Sequence, residues 1–232
     1  MSVPVRVDVV SDIVCPWCYI GKRRLEAALE TLKNDVSAEI VYHPFQLDPS
    51  SPKQGRPFRH HMESRFGRER AATMFAHVEQ VASEVGLDFN FSEIAKDFNT
   101  LDLHRLLTVA YEKGLQAATK EALMDAHFVR RVDLTDQATL IATLVAVGWT
   151  EEDILNVLKS DQGRESVQGE LDYFRQLGVT GVPFFILNNK YALSGAQPES
   201  VFVDALRKVL EEAKPELIAT GATCDPVTGE CN

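Results

Sequence analysis

Valine dominates the first apolar stretch of the chain: "VPVRVDVVS" (3–11) is rich in β-branched residues and reads as a buried strand. From Pro16 to Lys33 the apolar period changes. Leu25, Ala28, Leu29 and Leu32 recur at steps of three and four, the spacing of one helix face. "VSAEIVYHPFQL" (36–47) returns to a strand pattern, so the first 47 residues predict a βαβ unit.

"DPSSPKQGRP" (48–57), with three Pro and one Gly, interrupts this pattern and reads as a boundary. From 58 to 160 the signal is almost wholly helical. Met74, Phe75, Val78, Val81, Ala82 and Val85 form one apolar stripe; Leu103, Leu106, Leu107 and Ala110 form a second, and Leu140, Leu144 and Val147 a third. Thr150 followed by Glu151, Glu152 and Asp153 is an N-cap with acids in the first turn. A further helix over 161–177 ends at Gly178. Strand signals return in "VPFFIL" (182–187), which "NNK" (188–190) turns into "YALSG" as a hairpin. "PESVFVDALRKVLEEAK" (198–214) closes the pattern as a helix with Pro198 at its first position and Phe202, Ala205, Leu206 and Val209 facing inward. The chain therefore divides into 1–48 and 161–215, two parts of one α/β domain, a helical insertion at 58–160, and a tail at 216–232 expected to be mobile.

At 232 residues and 45% hydrophobic, the chain can bury a sizeable core without staples. Its formal charge of −10 argues against nucleic acid and anionic lipid, which require clustered Lys and Arg. Lys22-Arg23-Arg24 reads as a solvated helix face. No secretory leader and no membrane-length apolar run is apparent, so the expected location is the cytoplasm, where disulfides are transient and catalytic.

That expectation bears on four cysteines. Cys15 and Cys18 enclose Pro16 and Trp17 where the first strand hands over to the first helix. With Cys15 as N-cap, Pro16 takes the first helical position, where its missing N–H costs nothing, and both sulfurs lie on one face of the first turn. Free amides of a helix start favour a thiolate. A free thiol is only about 3% ionised at neutral pH, and lowering its pKa by about two units takes roughly 2.7 kcal/mol. A helix dipole supplies about 0.3–1 kcal/mol, so direct hydrogen bonds to sulfur must add the rest. A redox dithiol fits this strand-to-helix setting. Two other readings stand beside it. A zinc knuckle needs two more ligands, and no His or Cys follows before His43; a structural disulfide across four residues would constrain little chain.

"VDVVSDIVCPWCYIGK", "GVTGVPFFILNNKYALSGAQ" and the long helical segment between them resemble the DsbA family of thioredoxin-like thiol oxidoreductases, above all its cytosolic FrnE-like branch, over residues 3 to about 213. The resemblance implies an α/β, thioredoxin-like fold with a large inserted all-helical domain, and a protein disulfide oxidoreductase or isomerase. It implies Cys15 as nucleophile and Cys18 as buried resolving thiol. It implies a cis-proline at Pro183, after Val182, in a loop whose backbone pairs with extended substrate; Pro16 and Trp17 would line the same substrate site. Relatives carry a buried acid near the resolving thiol, which makes Asp8 a possible acceptor of the Cys18 proton; its other reading is a solvated strand-edge side chain. Strongly oxidising relatives carry His where this chain has Trp17, so a reductase or isomerase fits better. Partners would be protein or peptide thiols and disulfides and a cellular thiol reductant. No cofactor is implied beyond glutathione as that reductant.

"CDPVTGEC" at the C-terminus places Cys224 and Cys231 around a turn-prone stretch. They read as an accessory redox pair exchanging with Cys15, as half of a four-thiolate zinc site, or as residues without a role. "SGAQPES" (194–200) falls where the glutathione-using kappa-class transferases and hydroxychromene carboxylate isomerases, relatives of the same fold, hold the γ-glutamyl group. A glutathione-dependent isomerase or transferase is therefore the alternative function, and a four-thiolate metal-binding protein a third. His60, His61 and His77 lack HExxH spacing, and His104 and His127 read as core.

Overall fold

The computed structural model describes residues 2–213. The chain begins β1 (Val3–Ser11), α1 (Pro16–Thr31) and β2 (Val36–Pro44). A long, mainly helical stretch follows: β3 (Arg56–Pro57), α2 (Phe58–Phe66), α3 (Arg68–Glu84), β4 (Lys96–Asp97), α4 (Leu101–Glu112), α5 (Gln116–Phe128), α6 (Gln137–Val145) and α7 (Glu151–Lys159). Then come α8 (Arg164–Gln176), the hairpin β5 (Phe184–Leu187) and β6 (Tyr191–Ser194), and α9 (Glu199–Glu212). The main sheet has the order β2-β1-β5-β6, with β1 parallel to β2 and antiparallel to β5. This is the α/β, thioredoxin-like architecture with a helical insertion. Among the described residues, no helix is long and apolar enough to cross a membrane.

Local rules account for most of these elements. The hairpin turns on Asn188 and Asn189, both at positive φ (48° and 55°), a conformation Asn tolerates. Thr150 accepts a hydrogen bond from the Asp153 amide and caps α7. Three expectations shift. The second strand stops at Pro44, three residues early, and Pro198 is the N-cap of α9 instead of its first helical residue. The paired strands β3 and β4 interrupt the helical stretch; two residues carry no readable period.

β1 is an interior strand with both faces covered, hence its run of valines. Val5, Val7 and Val9 pack with Leu25 and Ala28 of α1 and with Phe202, Leu206 and Val209 of α9. Val10, on the opposite face, meets Phe174 of α8. A second core joins the insertion to the start of α1: Cys15, Cys18, Tyr19 and Ile20 pack with Phe89, Phe91, Leu106, Leu123 and Met124, among others. The cysteines thus belong to the core made by the insertion, not to the sheet core.

The basic run on α1 serves this junction. Lys22 is buried, and both Lys22 and Arg23 pair with Glu121 of α5. Arg24 donates to the Ala196 carbonyl at 2.6 Å. The expectation of a solvated face is therefore corrected: an acid 98 residues downstream of Arg23 turns the run into a docking surface.

Candidate active site

Cys15 is the N-cap of α1, with extended φ and ψ of −92° and 112°, and Pro16 begins the helix. The Cys18 amide donates to the Cys15 carbonyl at 3.0 Å, closing the first turn. Both are free thiols and both are 3% exposed. The Val182–Pro183 bond is cis. Cys15 Sγ lies 3.8 Å from the Val182 carbonyl oxygen, so its S–H donates to the loop that carries Pro183. The Pro183 carbonyl accepts from the Gly195 amide at 2.8 Å, which ties the loop to the end of β6, whereas the Val182 amide has no hydrogen-bond partner among the described residues. The two thiols differ. Burial, and then the neighbouring Cys15, push the Cys18 thiol well above the ordinary range, so it stays protonated at neutral pH.

Polar side chains from the β1–α1 loop, α4 and α5 surround this turn. Asp12 is 1% exposed; its carboxylate accepts from the Ile13 amide (2.8 Å), the Leu47 amide (2.9 Å) and His104 Nε2 (3.2 Å). Burial opposes its ionisation, but the contacts with His104 and Leu47 outweigh it and hold the carboxyl below its usual value. Lys120 of α5 is also 1% exposed, and its Nζ has no hydrogen-bond partner among the described residues. Burial lowers its pKa, while the cysteines and Asp12 favour its charge. Of the three, the sequence analysis named only His104, as a core residue; its burial is as expected, and its contact with Asp12 was not foreseen. Asp12 left the only trace, an acid in the otherwise apolar approach to Cys15; His104 and Lys120 reach the site from helices with no local signature.

Asp8 is placed differently from both sequence readings. Its strand is interior, so it is buried, and its carboxylate bonds Arg6 (2.7 Å) and His43 Nε2 (2.8 Å). Neither cysteine is among its partners. His43 also contacts Glu170 of α8 at 2.7 Å, so this network joins β1, β2 and α8, apart from the thiols. Cys224 and Cys231 lie outside the described residues.

A cavity of about 310 Å³ opens beside Cys15. Pro16, Trp17 and Val182 share its wall with Phe58, Phe75 and Phe91 of the insertion; Cys18 does not reach it. At its polar edge the ligand atoms of Asp48, His61 and Asp97 lie within 4.8 Å of one another, a spacing suited to a metal ion. Arg56 occupies that centre instead, 2.6 Å from Asp48, 2.7 Å from Asp97 and 2.9 Å from His61 Nε2. The donor set is already spent on a guanidinium, so it serves as an ion cluster bracing β3, β4 and α2.

Known proteins resemble this chain. The family model described as a DSBA-like thioredoxin domain matches residues 6–207. The crystal structure of a probable DsbA oxidoreductase from Streptomyces coelicolor is 33% identical and superposes with a TM-score of 0.85, covering 98% of each chain. The cytosolic disulfide reductase DsbM from Pseudomonas aeruginosa, solved with GSH, shares the fold at 17% identity and a TM-score of 0.63, over 89% of this chain and 99% of that one. The uncharacterised YwbO protein of Bacillus subtilis (strain 168) is 24% identical over 207 residues, which are 87% of this chain and 96% of YwbO.

Proposed function

The chain belongs to the DSBA-like thioredoxin domain family, and from that premise we propose that it is a cytoplasmic thiol–disulfide oxidoreductase or isomerase in which Cys15 attacks and Cys18 resolves. The carrying observation is the asymmetry of the pair: Cys15 borders the cavity and touches the Val182 carbonyl, while Cys18 is walled in with its proton held. The Cys15 thiolate attacks a disulfide R–S–S–R′, forming the mixed disulfide Cys15–S–S–R and releasing R′S⁻. Cys18 then gives up its proton to the solvent or to the departing thiolate and attacks Cys15 Sγ. This releases RS⁻ and leaves the Cys15–Cys18 disulfide. Two electrons have passed from the protein to the substrate. Two molecules of a low-molecular-weight thiol such as glutathione return them, themselves becoming a disulfide. When the thiolate freed in the first step attacks another disulfide of the same substrate, and the thiolate this releases displaces Cys15 from the mixed disulfide, the outcome is isomerisation with no net electron transfer.

The Val182 amide, without a partner among the described residues, and the Val182 carbonyl offer one donor and one acceptor to an extended protein or peptide segment, the geometry of strand addition. Trp17, in place of the His of strongly oxidising relatives, supports the reducing or isomerising direction. Ser194–Gln197 lies beside Pro183, with the Gly195 amide on the Pro183 carbonyl. That neighbourhood favours glutathione as reductant, and it is also what a glutathione-dependent isomerase would need.

Insulin reduction with glutathione tests the reading. Cys15→Ser should abolish it, and Cys18→Ser should accumulate mixed disulfides visible by mass spectrometry. Full activity of Cys15→Ser would reject the assignment. Glutathione-dependent turnover of a non-disulfide substrate by that variant would favour the isomerase or transferase.

A further inference from the structure

Cys15 is 3% exposed, so a disulfide cannot meet it on a flat protein surface. Two approaches to the sulfur remain: along the Val182 backbone, and through the cavity. The cavity wall contributed by the insertion is aromatic. Phe58 and Phe75 have ring centroids 5.5 Å apart, Phe75 and Phe91 5.0 Å, and Phe58 and Phe91 6.0 Å, forming a three-ring stack. Met62 and Met74 add polarisable thioethers to the lining. At the polar edge, Asp48 and Asp97 are both engaged by Arg56, which also contacts His61. Arg65 stands on the same wall as a further cation, so the apolar wall lies opposite a polar edge.

We propose that this cavity is the specificity pocket of the exchange site, and that it takes an aromatic group carried within a few bonds of the sulfur that Cys15 attacks. The inference rests on the thiol–disulfide reading above. The volume falls in the range of small-ligand pockets, and the walls match the edge and face preferences of a neutral ring. The aromatic group can come from a small disulfide or from an aromatic residue next to a half-cystine in an extended peptide. The chemistry is unchanged. Cys15 Sγ forms a bond to the sulfur bearing the aromatic group, the partner sulfur leaves as thiolate, and Cys18 then displaces the aromatic thiolate. Glutathione supplies the two electrons that restore the dithiol. The pocket holds R while the Val182 backbone holds the chain, so R is oriented for both steps.

The test compares two mixed disulfides of glutathione, one with 2-phenylethanethiol and one with 2-mercaptoethanol, using the full chain. The sulfurs are similar alkyl thiols, and the ring is the main difference. The phenylethyl disulfide should show kcat/KM roughly 10- to 100-fold higher, the fold-change expected for burying a ring. Phe75→Ala, checked for folding by circular dichroism, should reduce that ratio to about threefold or less. The unreactive thioether S-(2-phenylethyl)glutathione should protect Cys15 of the unaltered protein from iodoacetamide, a readout independent of any variant. Disulfide-bridged peptides with Phe or Ser beside the half-cystine separate the two sources: a Phe preference supports an unfolded chain, and its absence supports a small disulfide. Equal kcat/KM for the two small disulfides, or no protection by the thioether, would overturn the pocket and leave Cys15-dependent exchange intact. Loss of all Cys15-dependent exchange would instead overturn the function on which the pocket rests.

Discussion

Gly21 of α1 lies against the proline loop: a Cβ built on it would stand 3.1 Å from Pro183 Cγ and 3.1 Å from Phe185 Cζ. The absent side chain lets the helix that bears the cysteines approach the loop that faces them. Gly21→Val should therefore cost about 1–3 kcal/mol by overpacking, despite the better helix propensity of most residues over Gly. Because the loop would shift away from Cys15, insulin reduction should fall with it. A denaturant melt unchanged from the parent protein would show that the loop yields freely.

Both cysteines are buried, but only Cys15 borders the cavity, and the Cys18 thiol is held above the ordinary range by burial and by Cys15. Limited alkylation with iodoacetamide at neutral pH should therefore label Cys15 alone, with Cys18 reacting only after denaturation. Peptide mapping decides between them. The sign of the pH effect follows: folding keeps this proton on, so Cys18 contributes stability below the pKa of an unfolded thiol, and that contribution is lost as pH rises further. Labelling of Cys18 at the same rate as Cys15 would contradict the assignment of Cys15 as the thiol reached through the cavity.

Lys120 brings a buried amine with no hydrogen-bond partner among the described residues beside Cys15, Cys18 and Asp12, which favour its charged form against the burial that lowers its pKa. In its protonated form this side chain favours the thiolate, and hence the reduced state, over the neutral disulfide. Lys120→Met should make the Cys15–Cys18 pair more reducing, by on the order of 15–30 mV. The same change removes an unsatisfied polar group and should raise stability by roughly 1–3 kcal/mol. Equilibration with glutathione buffers reads the potential. An unchanged potential would remove Lys120 from the electrostatics of the site.

His43 is opposed by burial, yet its contacts with Asp8 and Glu170 raise its pKa above 6.5. A raised histidine contributes stability that is fully present below its unfolded value and lost as pH rises through the folded one. Unfolding free energy should therefore decline from about pH 6.5 upward, and His43→Gln should flatten that segment of the curve. Because neither cysteine contacts this network, the potential of the dithiol should stay the same in His43→Gln. A shift in potential would mean that Asp8 acts on Cys18 after all.

Periodicity and local caps carried the sequence reading a long way. The valine run, the Pro16 start of α1, the Thr150 cap and the Asn-Asn turn each depend on residues within a few positions of one another, and such contacts are encoded in spacing. The CPWC pair and the Val182–Pro183 loop were legible as motifs. Their juxtaposition at 3.8 Å across 167 residues belongs to the sheet, which sets β5 beside β1. The rest of the site came from the insertion. Glu121 meets Arg23 across 98 residues and His104 meets Asp12 across 92, while the Phe58–Phe75–Phe91 wall forms only where α2, α3 and the chain before β4 converge. Helical stripes in the sequence show that these segments bury an apolar face, but not against which partner. Burial is nearly indifferent to direction, and only the packed chain determines which buried side chains end beside Cys15.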